Sequence, residues 1–159
     1  MPDRFNELPG YIEKTLNLLS EMVQRLDRFE KELVPNIGKT EDSVLIPVQI
    51  LENGYTAIET MFMRISQAFE NNLEQNRWHP DLLEKMTIEI KKTRPRVISD
   101  KTYGKLNELL RFRHFKRYYF EMNYDWRKIE LLITIFRETV PLLKTELKGF
   151  ADKITTALE

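Results

Sequence analysis

Residues 44–69 read VLIPVQILENGYTAIETMFMRISQAF. Within them Val44, Val48, Leu51, Tyr55, Ile58, Phe62, Ile65 and Phe69 recur at alternating steps of four and three. A rotation of about 100° per residue returns every third or fourth side chain to the same side, so this spacing paints one apolar face on an α-helix. A half-buried strand would need steps of two. Pro47 falls in the first turns of the segment, where it is either tolerated or kinks the helix.

The same period extends outward in both directions. Ile12, Leu16, Leu19, Val23, Leu26 and Leu33 form a stripe on a segment expected to run from about Pro9 to Leu33, and VPNIGKT after it reads as a break. NNLEQNRW is expected to be a loop, and HPDLLEKM a short helix starting near Pro80 or Asp81. KKTRPRVISD interrupts the pattern again, after which Ser99 or Asp100 can cap a helix reaching from about Lys101 to Glu121. MNYD separates this from a last helix beginning at Asp125, with Ile129, Leu132, Phe136, Val140, Leu143, Leu147, Phe150 and Ile154 on its stripe. Pro141 lies inside that stripe, so a bend is expected there and not an end. Long amphipathic helices with short connections predict an all-α, antiparallel four- to five-helix bundle, with residues 1–159 forming a single domain.

Composition narrows the function classes. The chain has 159 residues, no cysteine, and 25 basic residues against 25 acidic ones. Disulfides, thiolate zinc sites and thiol nucleophiles are therefore excluded, and no net field draws the molecule toward nucleic acid. No stretch approaches the roughly 20 apolar residues of a membrane span, and MPDRFNELPGY lacks the features of a signal peptide, so a cytoplasmic location is expected. There is no glycine-rich phosphate loop and no His-Glu-x-x-His motif. His79 and His114 are the only histidines, so neither a metal nor a cofactor is expected.

Two runs concentrate positive charge: KKTRPR, with Lys91, Lys92, Arg94 and Arg96, and RFRHFKR, with Arg111, Arg113, Lys116 and Arg117. The first reads as a solvated face. In the second, Tyr103, Leu106, Leu109 and Leu110 define an inward face by helical spacing, and Arg113, Arg117 and Phe120 continue it. A guanidinium carried inward must meet a carboxylate such as Glu52 or Glu59, line a wet cleft, or meet an anion from outside. As a phosphate site, Arg113 and Arg117 would stabilise charge while His114 moves protons. Phe112, Phe115, Tyr118 and Tyr119 would offer ring faces to unpaired bases. Arg111, Phe115, Lys116 and Tyr118 are thus the candidate RNA contacts, and Arg113, His114 and Arg117 the candidate catalytic groups. His79, just ahead of a helix start, is accounted for by a cap or loop hydrogen bond, whereas Arg64 could reach a bound anion.

The order ILENGYTAIETMFMRISQAFE, WHPDLLEKMTIEI, TRPRVISDKTYGKLNELLRFRHFKRYYF and a closing helix, over roughly residues 45 to 150, resembles the HepT-like ribonuclease-toxin branch of the HEPN superfamily. The resemblance implies a bundle that dimerises and whose active relatives cut RNA without metal, through an Arg-x(4 to 6)-His motif beside a dimer cleft. It implies a toxin-antitoxin or defence setting, with a nucleotidyltransferase antitoxin able to adenylylate a tyrosine, here Tyr118 or Tyr119. The motif itself is broken. Five residues after Arg113 stands Tyr118, and no arginine lies five to seven residues before His114. The leading expectation is a metal-independent endoribonuclease using His114 from a shifted position. The alternative is a catalytically silent adaptor that binds RNA or protein.

Overall fold

The computed structural model describes residues 2–70, 81–118 and 123–158, with no side-chain detail at 2, 3, 116–118 and 158. Among these residues six α-helices occur in order: α1 (Pro2–Arg28), α2 (Val34–Ile37), α3 (Leu45–Glu70), α4 (Leu82–Lys85), α5 (Asp100–Tyr118) and α6 (Trp126–Leu158). A π-helical turn, Phe29–Leu33, joins α1 to α2 without a break. The architecture is the expected all-α bundle: α1 packs along α3 and α6, α5 lies against α6 and α3, and α4 spans α3 and α5. No helix among the described residues is long and apolar enough to cross a membrane.

The first helix begins earlier than expected, at Pro2, and runs through Pro9. Burial explains it. Leu8 is in the core, and the Phe5 ring meets Phe69 of α3 edge-on at 4.8 Å, contacts that outweigh the lost backbone hydrogen bond at Pro9. The chain then stops at Gly38, whose φ of 76° is left-handed and open to glycine without strain. Thr40 and Ser43 restart it with a reciprocal cap. The Thr40 N–H donates to Ser43 Oγ at 2.8 Å, and the Ser43 N–H donates to Thr40 Oγ1 at 2.9 Å.

On α3 the predicted stripe is buried from Val48 through Ile65, with Phe69 half-buried and packed on the same core. Pro47 is accommodated in its first turn. Gly54 interrupts the helix's helix-forming residues for a packing reason: a Cβ at this position would lie 2.6 Å from Cε2 of Phe136 on α6. On α6, Asp125 caps the start by accepting the Arg127 N–H at 3.0 Å, and the helix continues past Pro141. Its stripe is buried from Ile129 to Ile154.

The KKTRPR run corrects the expectation of a solvated face. Lys91, Lys92 and Arg96 are exposed, but the Arg94 side chain is 0% exposed. A tight turn, with Lys92 at φ 62° and a backbone bridge between Ile90 and Arg94, reverses the chain and turns Arg94 inward. Its guanidinium donates to the carbonyls of Lys85 at 3.1 Å and Pro95 at 3.1 Å, and meets Glu70 Oε1 at the end of α3 at 3.3 Å. Those acceptors are what make its burial tolerable. Residues 71–80, including His79, lie outside the described residues.

Because Phe136 is fully buried, Gly54→Ala should overpack the α3–α6 seam and cost about 1–3 kcal/mol, read as a lower urea midpoint with an unchanged slope. Phe136→Leu introduced with it should recover part of that loss, since the clash is with the ring; simple additivity of the two losses would refute the steric account.

Candidate functional site

Helix α5 starts at a double cap. Ser99 Oγ accepts the Thr102 N–H at 3.2 Å, and the Ser99 N–H donates to Glu146 Oε1 of α6 at 2.9 Å. This fixes the rotation of α5 against α6. Thr102, Leu106, Leu109 and Phe112 are the buried positions, while Tyr103, Leu110, Arg113 and His114 are half-buried. The inward face is thus rotated from the expected one. Phe112 is not a platform for bases: it is buried and packs on Tyr124, ring centroids 6.2 Å apart.

Arg113 does turn inward, and it finds a carboxylate. Its Nη1 lies 2.8 Å from Glu59 Oε1 on α3, with the two side chains only 16% and 13% exposed. The approach is electrostatic and not an aligned hydrogen bond, since the same nitrogen has no hydrogen-bond partner. The guanidinium carbon also sits 5.6 Å from the centroid of the Tyr55 ring. Tyr55 and Glu59 are one turn apart on α3. Burial, and then the Glu59 charge, push the Tyr55 hydroxyl well above the ordinary tyrosine range.

The remaining candidates divide by position. Arg111 points to solvent, 72% exposed, with Glu108 at 3.5 Å one turn back. Phe115 is 41% exposed, and Lys128 Nζ of α6 lies 5.4 Å from its ring centroid. Helical spacing puts Arg111, His114 and Phe115 on one side of α5 and Arg113 on the opposite side. Lys116, Arg117 and Tyr118 continue the helix as backbone, and Tyr119 and Phe120 lie outside the described residues. Tyr55 was not singled out by the chain's own pattern as a site residue, because a tyrosine on an apolar stripe looks like any core residue. Among the described residues no three His, Cys, Asp or Glu side chains gather as metal ligands.

The basic helix α5 packs against both the central helix α3 and the long closing helix α6 of an all-α bundle. A family model described as HepT-like protein matches residues 47–154, about two thirds of the chain. The chain belongs to that HepT-like family. No curated protein and no solved structure matches it.

Arg113→Ala should lower stability by about 3 kcal/mol, because it strands the Glu59 carboxylate in a nearly closed seam. Replacing both partners by apolar residues should restore much of it; a single variant with an unchanged denaturation midpoint would show the pair to be energetically idle. For Tyr55 the sign follows from its raised proton affinity in the folded state. Stability is level below about pH 10, the ordinary tyrosine value, and falls as pH rises beyond it, because unfolding releases that proton. Tyr55→Phe should flatten this alkaline loss in denaturant melts taken across that range.

Proposed function

We propose that this chain is an RNA-directed HepT-like domain of a toxin-antitoxin or defence system that binds RNA along the outer side of α5 without cutting it. The observation that carries the reading is the Arg113–Glu59 pair. Stabilising a pentavalent phosphate requires a guanidinium whose charge is free to meet the developing anion. In this fold the arginine that the family resemblance would make catalytic already faces a carboxylate at 2.8 Å over an aromatic ring. The broken Arg-x(4 to 6)-His spacing points the same way. Exposed on the outer side are Arg111, Phe115 and Lys128, the Lys128 Nζ 5.4 Å from the centroid of the Phe115 ring, and Lys116, Arg117 and Tyr118 follow in sequence on the same helix. A ring face flanked by cations suits a single strand, whose bases stack while its phosphates meet the cations.

One observation favours active chemistry. His114 is half-buried on the turn beside Arg113, where a proton-transfer group would be shielded from bulk water. In that second reading the chain is a metal-independent endoribonuclease, with Arg117 freeing or replacing Arg113 at the phosphate. The ribose 2′-hydroxyl would attack the adjacent phosphorus, the 5′-oxygen would leave, and a 2′,3′-cyclic phosphate would remain. Both readings place the chain in the cytoplasm as a homodimer with no cofactor. A nucleotidyltransferase antitoxin would be its partner, with Tyr118 or Tyr119 as the acceptor of a nucleotide.

The purified chain incubated with total RNA in EDTA is expected to leave the RNA intact. Fluorescence anisotropy should still report binding to single-stranded RNA. Phe115→Ala should weaken that binding by about 1–3 kcal/mol, and Arg111→Ala should lower the salt slope by about 0.7. EDTA-resistant cleavage that His114→Ala removes would replace this reading by the endoribonuclease one. RNA that neither binds nor breaks would dismiss both.

A further inference from the structure

Arginines withdrawn from solvent in this protein share a pattern, and one departs from it. Arg94 meets Glu70, Arg113 meets Glu59, and Arg137 of α6 holds Asp27 at 2.7 Å and Glu30 at 2.9 Å. Arg64, half-buried on α3, has no carboxylate within ion-pair distance among the described residues. Its guanidinium carbon is instead 3.7 Å from the centroid of the Tyr11 ring on α1. A cation over a ring keeps most of its demand for an anion, because the ring quadrupole offers far less than a full charge.

The surroundings supply the rest of an anion site. Arg64 opens onto a cleft of about 160 Å³ in the α1–α3 seam, lined by Arg4, Glu7, Leu8, Tyr11 and Gln67. Arg4 likewise has no carboxylate partner among the described residues. Two arginines, a tyrosine and a glutamine therefore line a volume suited to a single small oxyanion, beside the buried Leu8. Arginine forks match the oxygens of a phosphate in pairs. The one opposing charge is Glu7, exposed on α1 and ion-paired to neither arginine. It favours a ligand whose own charge is large enough to overcome it.

We infer that this cleft binds a terminal phosphate group, the dianionic monoester at the end of a nucleotide or oligonucleotide chain. The site is separate from the strip on α5: Arg64 turns to α1, whereas Glu59 turns to α5. A terminal phosphate carries up to two charges where an internal phosphodiester carries one. Two guanidinium groups lining one small cleft discriminate in its favour on charge.

The test uses the full chain and NMR of the Tyr11 ring and the Arg64 Nε–H during titration with inorganic phosphate. Saturable shifts at both positions are expected. A 5′-phosphorylated oligoribonucleotide should compete for them, while the same oligonucleotide with a 5′-hydroxyl should not. Arg64→Ala, confirmed as folded by circular dichroism, should weaken phosphate binding about tenfold or more, since a charge-assisted contact is lost. Glu7→Gln should tighten it by relieving repulsion. Shifts that never saturate, or that survive Arg64→Ala, would overturn the site, and equal competition by the hydroxyl oligonucleotide would overturn the terminal-group assignment. Arg111→Ala and Phe115→Ala should leave the phosphate titration unchanged, so this result stands or falls apart from the RNA strip on α5.

Discussion

The bundle depends on the close passage of α3 against α6 at Gly54. With no Cβ there, the Phe136 ring lies directly against the α3 backbone, nearer than any other residue would allow. Helical geometry then fixes the other faces of α3. If Gly54 faces α6, Tyr55 and Glu59 must face α5, and Tyr11 of α1 meets Arg64 on a third side. One small residue thus sets the rotation of the central helix, and with it which carboxylate and which ring each neighbour encounters. The capped start of α5, tied through Ser99 to Glu146, supplies the matching constraint on the other partner.

A chain with equal numbers of acids and bases can still distribute its charges unevenly in depth. Here the arginines drawn inward are used largely for construction. Arg94 gathers the chain between α4 and α5 onto the end of α3, aided by the Val97 and Ile98 N–H groups donating to the Met86 carbonyl. Arg137 ties α6 to the end of α1, where the helix loosens into its π turn. Such pairs contribute modestly to net stability, because desolvation offsets most of their attraction, but losing one member is costly. Among the half-buried or buried arginines, Arg64 alone lies over a ring with no ion pair to a carboxylate among the described residues.

That division explains why the family resemblance and the geometry meet only in part. The chain matches the HepT-like family over residues 47–154 and folds as an all-α bundle. The expected catalytic arginine is present at 113, yet its environment is that of a structural ion pair. His114 stands one helical step away and on another side. Within one bundle, the rotation of α5 decides which of its arginines meets a nearly buried carboxylate and which stays exposed.

Much of this was legible in the chain alone. Apolar steps of three and four specify helices wherever they occur, the VPNIGKT break and the Ser99 cap mark where helices stop and start, and these are local properties carried by neighbouring residues. The runs that resemble a HepT-like domain are equally local. Other features had no such signature. Arg94 looked like one more cation in a basic run, Phe112 looked like an exposed ring, and nothing in the spacing could say whether Arg113 would reach Glu52, Glu59 or solvent. Only tertiary structure decided these, because a contact between residues on different elements depends on the rotation and axial offset with which those elements pack. Those are set by how side chains such as Phe136 fit against Gly54, and not by the period of the stripe that brings the helices together.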